Sequence, residues 1–447
     1  MKRLICSVLT FLMIITLCTG CVSNNKQDSI ESSESEMQGE LSGEITFWHS
    51  FTQGPRLEVI QKAANKFMEE NPKVKINIET FSWNDFYNKW TTGLATGNLP
   101  DMSTALPGQV VEMIDADALI PLNDLIKEIG EDRFSETALN EGTVDGNRYS
   151  IPLYTHAQVM WIRKDLLEEN NLEVPKTWDQ FYEAAKLLTK NGVYGCSFPC
   201  GSNDFQATNF LNFYVKSGGG SLLTDDLKAN LTSDLAIDGI NFWLKVYKDC
   251  SPKDSVNYDV LDQATLYYQG KTAFDFNSGF QISGVAQNSP DLLDYVDCYP
   301  IPKINENDEE RGITTANQPM VIWKKSKHPE ICKAFMKSLY KEDIYIEFLH
   351  ATPVGMLPAI SGISESETYK SNEIIQKFQH AEEVIRNAAK IGTAIGFEHG
   401  PNVQAGIMTN QHIIEWMFQD IITNGTDVEV AAKAAEDKLN ELFESVQ

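Results

Sequence analysis

Basic residues are scarce: 37 Lys and Arg stand against 63 Asp and Glu, a formal charge of −26 over 447 residues. An excess this acidic argues against nucleic acid as a partner and against adhesion to anionic lipid. Catalytic signatures are absent as well. The chain has no G-x-S-x-G, no Walker loop, no H-E-x-x-H and no G-x-G-x-x-G after a strand. The triplet Gly218-Gly219-Gly220 has no lysine beside it and reads as a turn. Cysteine is sparse. Beyond residue 21 there remain Cys196, Cys200, Cys250, Cys298 and Cys332, an odd number that excludes complete internal pairing. Cys196 and Cys200 have no second pair or close histidine, so they make a poor zinc site and read as buried thiols. No metal and no cofactor are expected.

Long apolar runs are also missing, except at the start. Lys2 and Arg3 precede an apolar stretch over 4–18, and Thr19-Gly20 supplies small residues for cleavage. The stretch is too short for a spanning helix with ordinary flanks. Residues 1–20 therefore read as a signal peptide, whose removal leaves −28. Cys21 after Gly20 resembles the acylated cysteine of a bacterial lipobox, although Cys18 stands where leucine is usual and Leu17 lies one place further out. A lipid on Cys21 would anchor the protein at the membrane. Residues 22–41 are rich in Ser, Glu, Asn and Gln and cannot bury enough surface to fold. Together with Cys21 they form a tether with a reach of roughly 25 Å.

Beyond the tether the chain has globular composition and is long enough for two or three compact units. Ile45 to Phe47 read as a short buried strand, broken by Gly54 and Pro55. Leu57, Ile60, Ala64 and Phe67 then share a helical face, and Asn71-Pro72 stops the helix. Val74, Ile76 and Ile78 alternate as a strand. This is a βαβ unit, with Trp48, His49, Ser50 and Phe51 at the carboxyl end of its first strand, where open α/β sheets bind ligands. A helix carrying Phe86, Trp90 and Leu94 comes next, ended by Gly97. A loop-like 104–109 leads to a helix expected over 110–119. Asp145-Gly146 marks a hairpin, and strands are expected over 149–153 and 159–162. Thr177 and Gln180 are spaced as a capping box. Trp90, Trp161, Trp178 and Trp243 lie on apolar patterns and read as core, and 428–446 reads as a packing helix.

The order of these motifs resembles the extracellular solute-binding proteins of ABC importers, family 1, carbohydrate-uptake type. The resemblance is carried by ITFWHS at 45–50, TGNLPD at 96–101, IPL at 151–153 and RKDLLEENNLEVPKTWDQF at 163–181. QGKTAFDFNSG at 269–279, TPVGMLP at 352–358 and GPN at 400–402 complete it. It implies an α/β, two-lobed periplasmic-binding-protein-like fold with a three-segment hinge and an interlobe ligand cleft. Lobe 1 would be 42–150 and 303–355, and lobe 2 would be 151–302 and 356–447. It implies capture of a sugar or oligosaccharide, delivery to the membrane permease of an ABC importer, and a monomer that is no enzyme. The alternatives are a glycerol-phosphate receptor of the same family, a glycan-cleaving enzyme, and an adhesion or sensing lipoprotein.

A sugar needs flat aromatic faces for its C–H surfaces and amides or imidazoles for its hydroxyl rim. The cleft loops implied by the resemblance supply such groups. They carry Trp48, His49, Phe51, Trp83, Gln109, Tyr154, His156, Asn203, Phe205, Asn277, Gly279, Phe280, Gln318, His399 and Asn402. None of these loops contains Lys or Arg, and residues 396–402 hold Glu398 and no arginine. A phosphate monoester would need an arginine or lysine fork, a helix N-terminus, or both; helix amides could supply part of this, and a neutral glycan is favoured over a phosphate.

Overall fold

β1 (Gly43–His49), α1 (Pro55–Glu70) and β2 (Val74–Thr80) form the expected βαβ unit, with β1 and β2 parallel and Ile45 opposite Ile76. A computed structural model describes residues 40–446 apart from Gln53, Gly312, Ile313 and Ala316, and leaves the side chains of Trp83 and Asn84 undescribed. The leader, Cys21 and most of the tether lie outside the described residues.

α2 (Trp83–Thr96) comes next, capped by Ser82, whose hydroxyl accepts from Asp85 N, and ended by Gly97 at φ 78°. β3 (Met102–Thr104) pairs parallel with β1. The next helix, α3, covers Pro107–Asp115, not 110–119. Proline at its first turn gives up no hydrogen bond there and presets a helical φ, so the helix starts three residues early. The hairpin of β4 (Thr143–Val144) and β5 (Asn147–Arg148) turns through Asp145 and Gly146, both at positive φ. β6 (Ile151–Tyr154) and the much later β10 (Gln318–Ile322) complete a five-stranded sheet of order β2-β1-β3-β10-β6. β10 lies antiparallel to both its neighbours, β3 and β6. The second sheet is antiparallel, with β7 (Val159–Arg163) between β8 (Phe274–Asn277) and β9 (Val296–Tyr299).

Each sheet is covered by helices. Ile45 and Phe47 pack with Ile60, Ala64 and Phe67 of α1 and with Phe335, whose ring meets Phe67 edge-on at 5.5 Å. The opposite face holds Trp90, Val110, Met113 and Trp323. In the second half Trp178, Phe181, Phe210, Trp243 and Phe276 form one aromatic core, with Phe210 and Trp243 centroids 4.7 Å apart. The four tryptophans read as core are all buried. The Val428–Glu444 helix seals this half with Ala432, Ala435 and Leu439. The five cysteines are buried free thiols, and burial pushes Cys250 and Cys332 up to about 12. Thr177 caps its helix by accepting from Gln180 N, whereas the Gln180 side chain reaches back to Lys176 N, one residue beyond a reciprocal box.

Between the two sheets the chain runs through 155–158. Thr155 pairs with Leu357 and Ala157 with Thr315, so three segments lie side by side there. No described helix is long and apolar enough to cross a membrane.

Candidate functional site

The end of β1 turns sharply into α1 through Gly54, at φ 71°, and Pro55. Trp48 and His49 end the strand and Phe51 follows it, all three buried. His49 is fully buried, its Nδ1 accepts from Phe51 N at 3.1 Å, and its Nε2 has no partner among the described residues. Burial, then the nearby charge of Arg56, lower its pKa to about 3, so the ring is neutral. Trp48 is 3 % exposed, packed edge-on against Phe81 at 5.2 Å with the Lys89 ammonium over its ring.

The end of β6 contributes Tyr154 and His156, stacked at 6.0 Å. The Tyr154 hydroxyl donates to Gln318 Oε1 at 3.3 Å, and Gln318 Nε2 donates to the Ala105 carbonyl at 2.7 Å. His156 Nδ1 has no partner among the described residues, and burial followed by Arg56 lowers its pKa to about 4. From the second half Phe280 meets His156 edge-on at 5.7 Å and Tyr154 at 6.4 Å. Arg56 bridges the halves, its guanidinium 5.0 Å from the ring centroids of both Phe51 and Phe280.

A cavity of about 60 Å³ lies between Pro107 and Gly108 of α3, Phe205 and Asn209 of the second half, and Thr409 and Asn410. Gln158 also lines it. Gln158 Oε1 and Asn209 Oδ1 are buried and have no partner among the described residues. Unmet buried acceptors are costly, and a hydroxyl-bearing ligand would satisfy them. The wall is tight where α3 crosses the Val403–Asn410 helix. A Cβ on Gly406 would stand 2.4 Å from the Gly108 carbonyl oxygen and 2.9 Å from Glu112 Cγ. Glu112 accepts from Asn410 Nδ2 and from the Tyr87 hydroxyl, and burial raises its pKa to about 6.

The remaining expected residues are placed variously. Trp83 starts α2, its side chain undescribed. Gln109 is buried and spends its Oε1 on Leu106 N at the start of α3. Asn203 is exposed, with Nδ2 3.3 Å from Asp259 Oδ2. Asn277 Oδ1 accepts from Ser278 N. Gly279 is pressed against the 352–355 turn, where a Cβ would stand 2.3 Å from the Val354 carbonyl oxygen. Asn402 caps the Val403–Asn410 helix and spends its amide on the Gly396 and Gly400 carbonyls. His399 borders a separate surface groove, 3.7 Å from Asp225. The structure thus gathers His49, Phe51, Tyr154, His156, Phe280 and Gln318 into one cluster and sets Phe205 on the cavity, but does not bring His399 to either. Sequence reasoning missed Arg56, Gln158 and Asn209. Gln206, Asn209 and Asn212 recur at spacings of three on a buried helical face, which was a legible signal.

No described group of three or more His, Cys, Asp or Glu residues could hold a metal ion. The arrangement offers ring faces, two neutral imidazoles and two unpartnered amide oxygens, which suits stacking and edge hydrogen bonding to a small polyhydroxylated molecule.

Comparison with known proteins supports the same class. The chain is 23 % identical over 343 residues to the diacetylchitobiose-binding protein DasA of Streptomyces coelicolor, covering 75 % of this chain and 78 % of that one. It is 22 % identical over 413 residues to a lactose-binding protein of Rhizobium radiobacter, covering 89 % and 92 %. A solute-binding protein of an ABC transporter from Thermotoga lettingae, solved with α-D-tagatose, shares the fold with a TM-score of 0.78 at 20 % identity, over 90 % of this chain and 99 % of that one. Residues 52–345 match the family described as bacterial extracellular solute-binding protein, and the chain belongs to that family.

Proposed function

We propose that the protein captures a mono- or oligosaccharide outside the cytoplasmic membrane and hands it to the permease of an ABC importer, without chemical change to the ligand. The observation that carries this reading is the pair of buried, unpartnered amide oxygens, Gln158 Oε1 and Asn209 Oδ1, on two residues that line a cavity together with Phe205. The ligands named for the relatives, diacetylchitobiose and lactose, are carbohydrates. The ligand contacts are the aromatic and histidine cluster at Phe51, Tyr154, His156 and Phe280 together with those amides. The lobes follow the expected division, 42–150 with 303–355 and 151–302 with 356–447, except at the middle crossing. The middle crossing moves from 303 to about 314–315, because Lys303 still pairs with Thr177. The lobes close about the ligand by hinge motion at 155–158, 314–315 and 357. Cys21, acylated, and the tether after it hold the monomer at the membrane surface.

Calorimetry against a panel of mono- and oligosaccharides tests the reading. A micromolar binder, at about −8 kcal/mol, is expected. Small-angle scattering should show compaction at saturation, and chromatography should recover the sugar uncut. Failure of every carbohydrate to bind would overturn the proposal; cleavage of a bound glycan would replace it with a hydrolase.

A further inference from the structure

Arg56 lies outside every loop expected to line the cleft, yet its guanidinium sits between a ring of each half, Phe51 and Phe280. Among the described residues no carboxylate pairs with it. This is unusual for a half-buried cation in a chain with 63 acids and 37 bases. Burying part of a charge is costly unless a partner restores what water gave. We infer that Arg56 is a specificity-determining residue that pairs with a carboxylate on the bound sugar, so that the ligand is an acidic glycan containing a uronic acid. The inference rests on the sugar-binding reading and deepens it.

Three observations set the ligand chemistry. First, the Phe51 and Phe280 rings stand against the guanidinium and the Tyr154 hydroxyl takes part of its N–H edge, and the rest of that planar fork is the recognition surface, which matches a carboxylate. Second, the cluster is locally positive within an acidic protein. Besides burial, the influence on His49 and on His156 comes from Arg56, with no acid opposing it. Asp275, which opposes the influence of Arg56 on Tyr268, is itself engaged by the side-chain amides of Gln263 and Gln281. Third, the positive charge is single. Both histidines are held neutral, so a phosphate dianion would meet one cation where it needs more, whereas a monoanionic carboxylate is matched. The aromatic rings on either side suit the apolar faces of the sugar that carries the carboxylate.

The test compares neutral oligosaccharides with the same molecules oxidised at C6 to uronic acids, and includes glycerol 3-phosphate as a second anion. Affinities are measured by calorimetry for the protein and for its R56Q and R56K variants. The oxidised ligand should bind tighter than its neutral counterpart by on the order of tenfold or more, an advantage that narrows as salt rises. In R56Q the ratio should fall to near one, and R56K should keep only part of it, because lysine retains the charge but not the fork. Parity in the wild type, or an advantage that survives R56Q, would overturn the inference. So would tighter binding of glycerol 3-phosphate than of any uronate. If R56Q loses its circular-dichroism signature of folding, the salt dependence of the wild type and the R56K ratio decide the matter. Neutral glycans bound without preference would sink this inference and leave the sugar reading standing; a panel in which no glycan binds would sink both.

Discussion

Replacing Gly406 by alanine separates the cost of closing the cleft from the cost of folding. The new methyl group would stand 2.4 Å from the Gly108 carbonyl oxygen and 2.9 Å from Glu112 Cγ, where ordinary contact begins at 3.4 Å. The Glu112 side chain can swing, but the carbonyl is backbone, so α3 and the Val403–Asn410 helix must move apart by about 1 Å. Such overpacking costs about 1–3 kcal/mol. Within the helix itself, alanine is favoured over glycine by roughly 0.5–1 kcal/mol. The two helices anchor in different cores: Val110 and Met113 of α3 pack with Trp90 and Trp323, whereas Ala405 and Met408 pack in the Trp243 core, to which α3 sends only Val111. Opening the hinge would relieve the clash and keep the helical gain. G406A should therefore bind ligand roughly 5–150-fold more weakly, while its ligand-free melting temperature stays level or rises. Gly108→Ala should be milder, because its methyl would meet a side-chain atom, the Thr409 hydroxyl, at 2.8 Å and the Gly406 Cα only at 3.3 Å. Calorimetry with a bound sugar and differential scanning fluorimetry without it check the pair. A fall in melting temperature with full affinity would show that the two helices never part, and the reasoning would be wrong.

Glu415 is fully buried, with its Oε1 accepting from Thr208 N and Oγ1 at 2.8 and 2.9 Å, and burial lifts its pKa to about 8. The folded protein thus holds a proton that the unfolded chain releases near 4.5, so this contribution is complete below pH 4.5 and is lost as pH rises towards 8. E415Q should match the wild type in thermal melts at pH 5 and exceed it at pH 8.5; a constant difference would refute this. Trp243→Ala should destabilise by about 3–5 kcal/mol in urea titration, since the ring is fully buried against Phe198, Phe210 and Trp178. Cys21→Ala should release the protein into the medium or leave the precursor uncut, as immunoblots of cell fractions would reveal. A variant that remains membrane-bound at mature size would end the lipobox reading.

Periodicity made the βαβ start and the tryptophan core legible, because burial of one face leaves a spacing of three to four in helices and two in strands. Proline obscured the start of α3, where it reads as a loop residue although a helix accepts it in its first turn. Residue type misleads when an amide has a local use. Asn402 looks like a ligand-binding residue in the GPN motif but is consumed by capping, and His399 leans towards Asp225 on the surface. Arg56 was hidden for the opposite reason. It sits in the first turn of α1, but its long side chain reaches across to Phe280, more than two hundred residues away in sequence. Gln158 and Asn209 carry their signal only once the buried face is known. Polarity on a buried face is then the clue.

The position of β10 bears on how the chain is made. It lies between β3 and β6 in the middle of the first sheet, yet it begins at Gln318, more than two hundred residues after β3. During synthesis β6 has no strand beside it, and β3 keeps one open flank, until that late segment emerges. Pairings between such distant residues form slowly, because loop closure must precede any gain from contact. A polypeptide that cannot complete its first sheet early stays open and threadable for most of its synthesis. The same order carries a hazard: a chain broken before Gln318 would present bare strand edges to its neighbours and should aggregate instead of folding as half a protein.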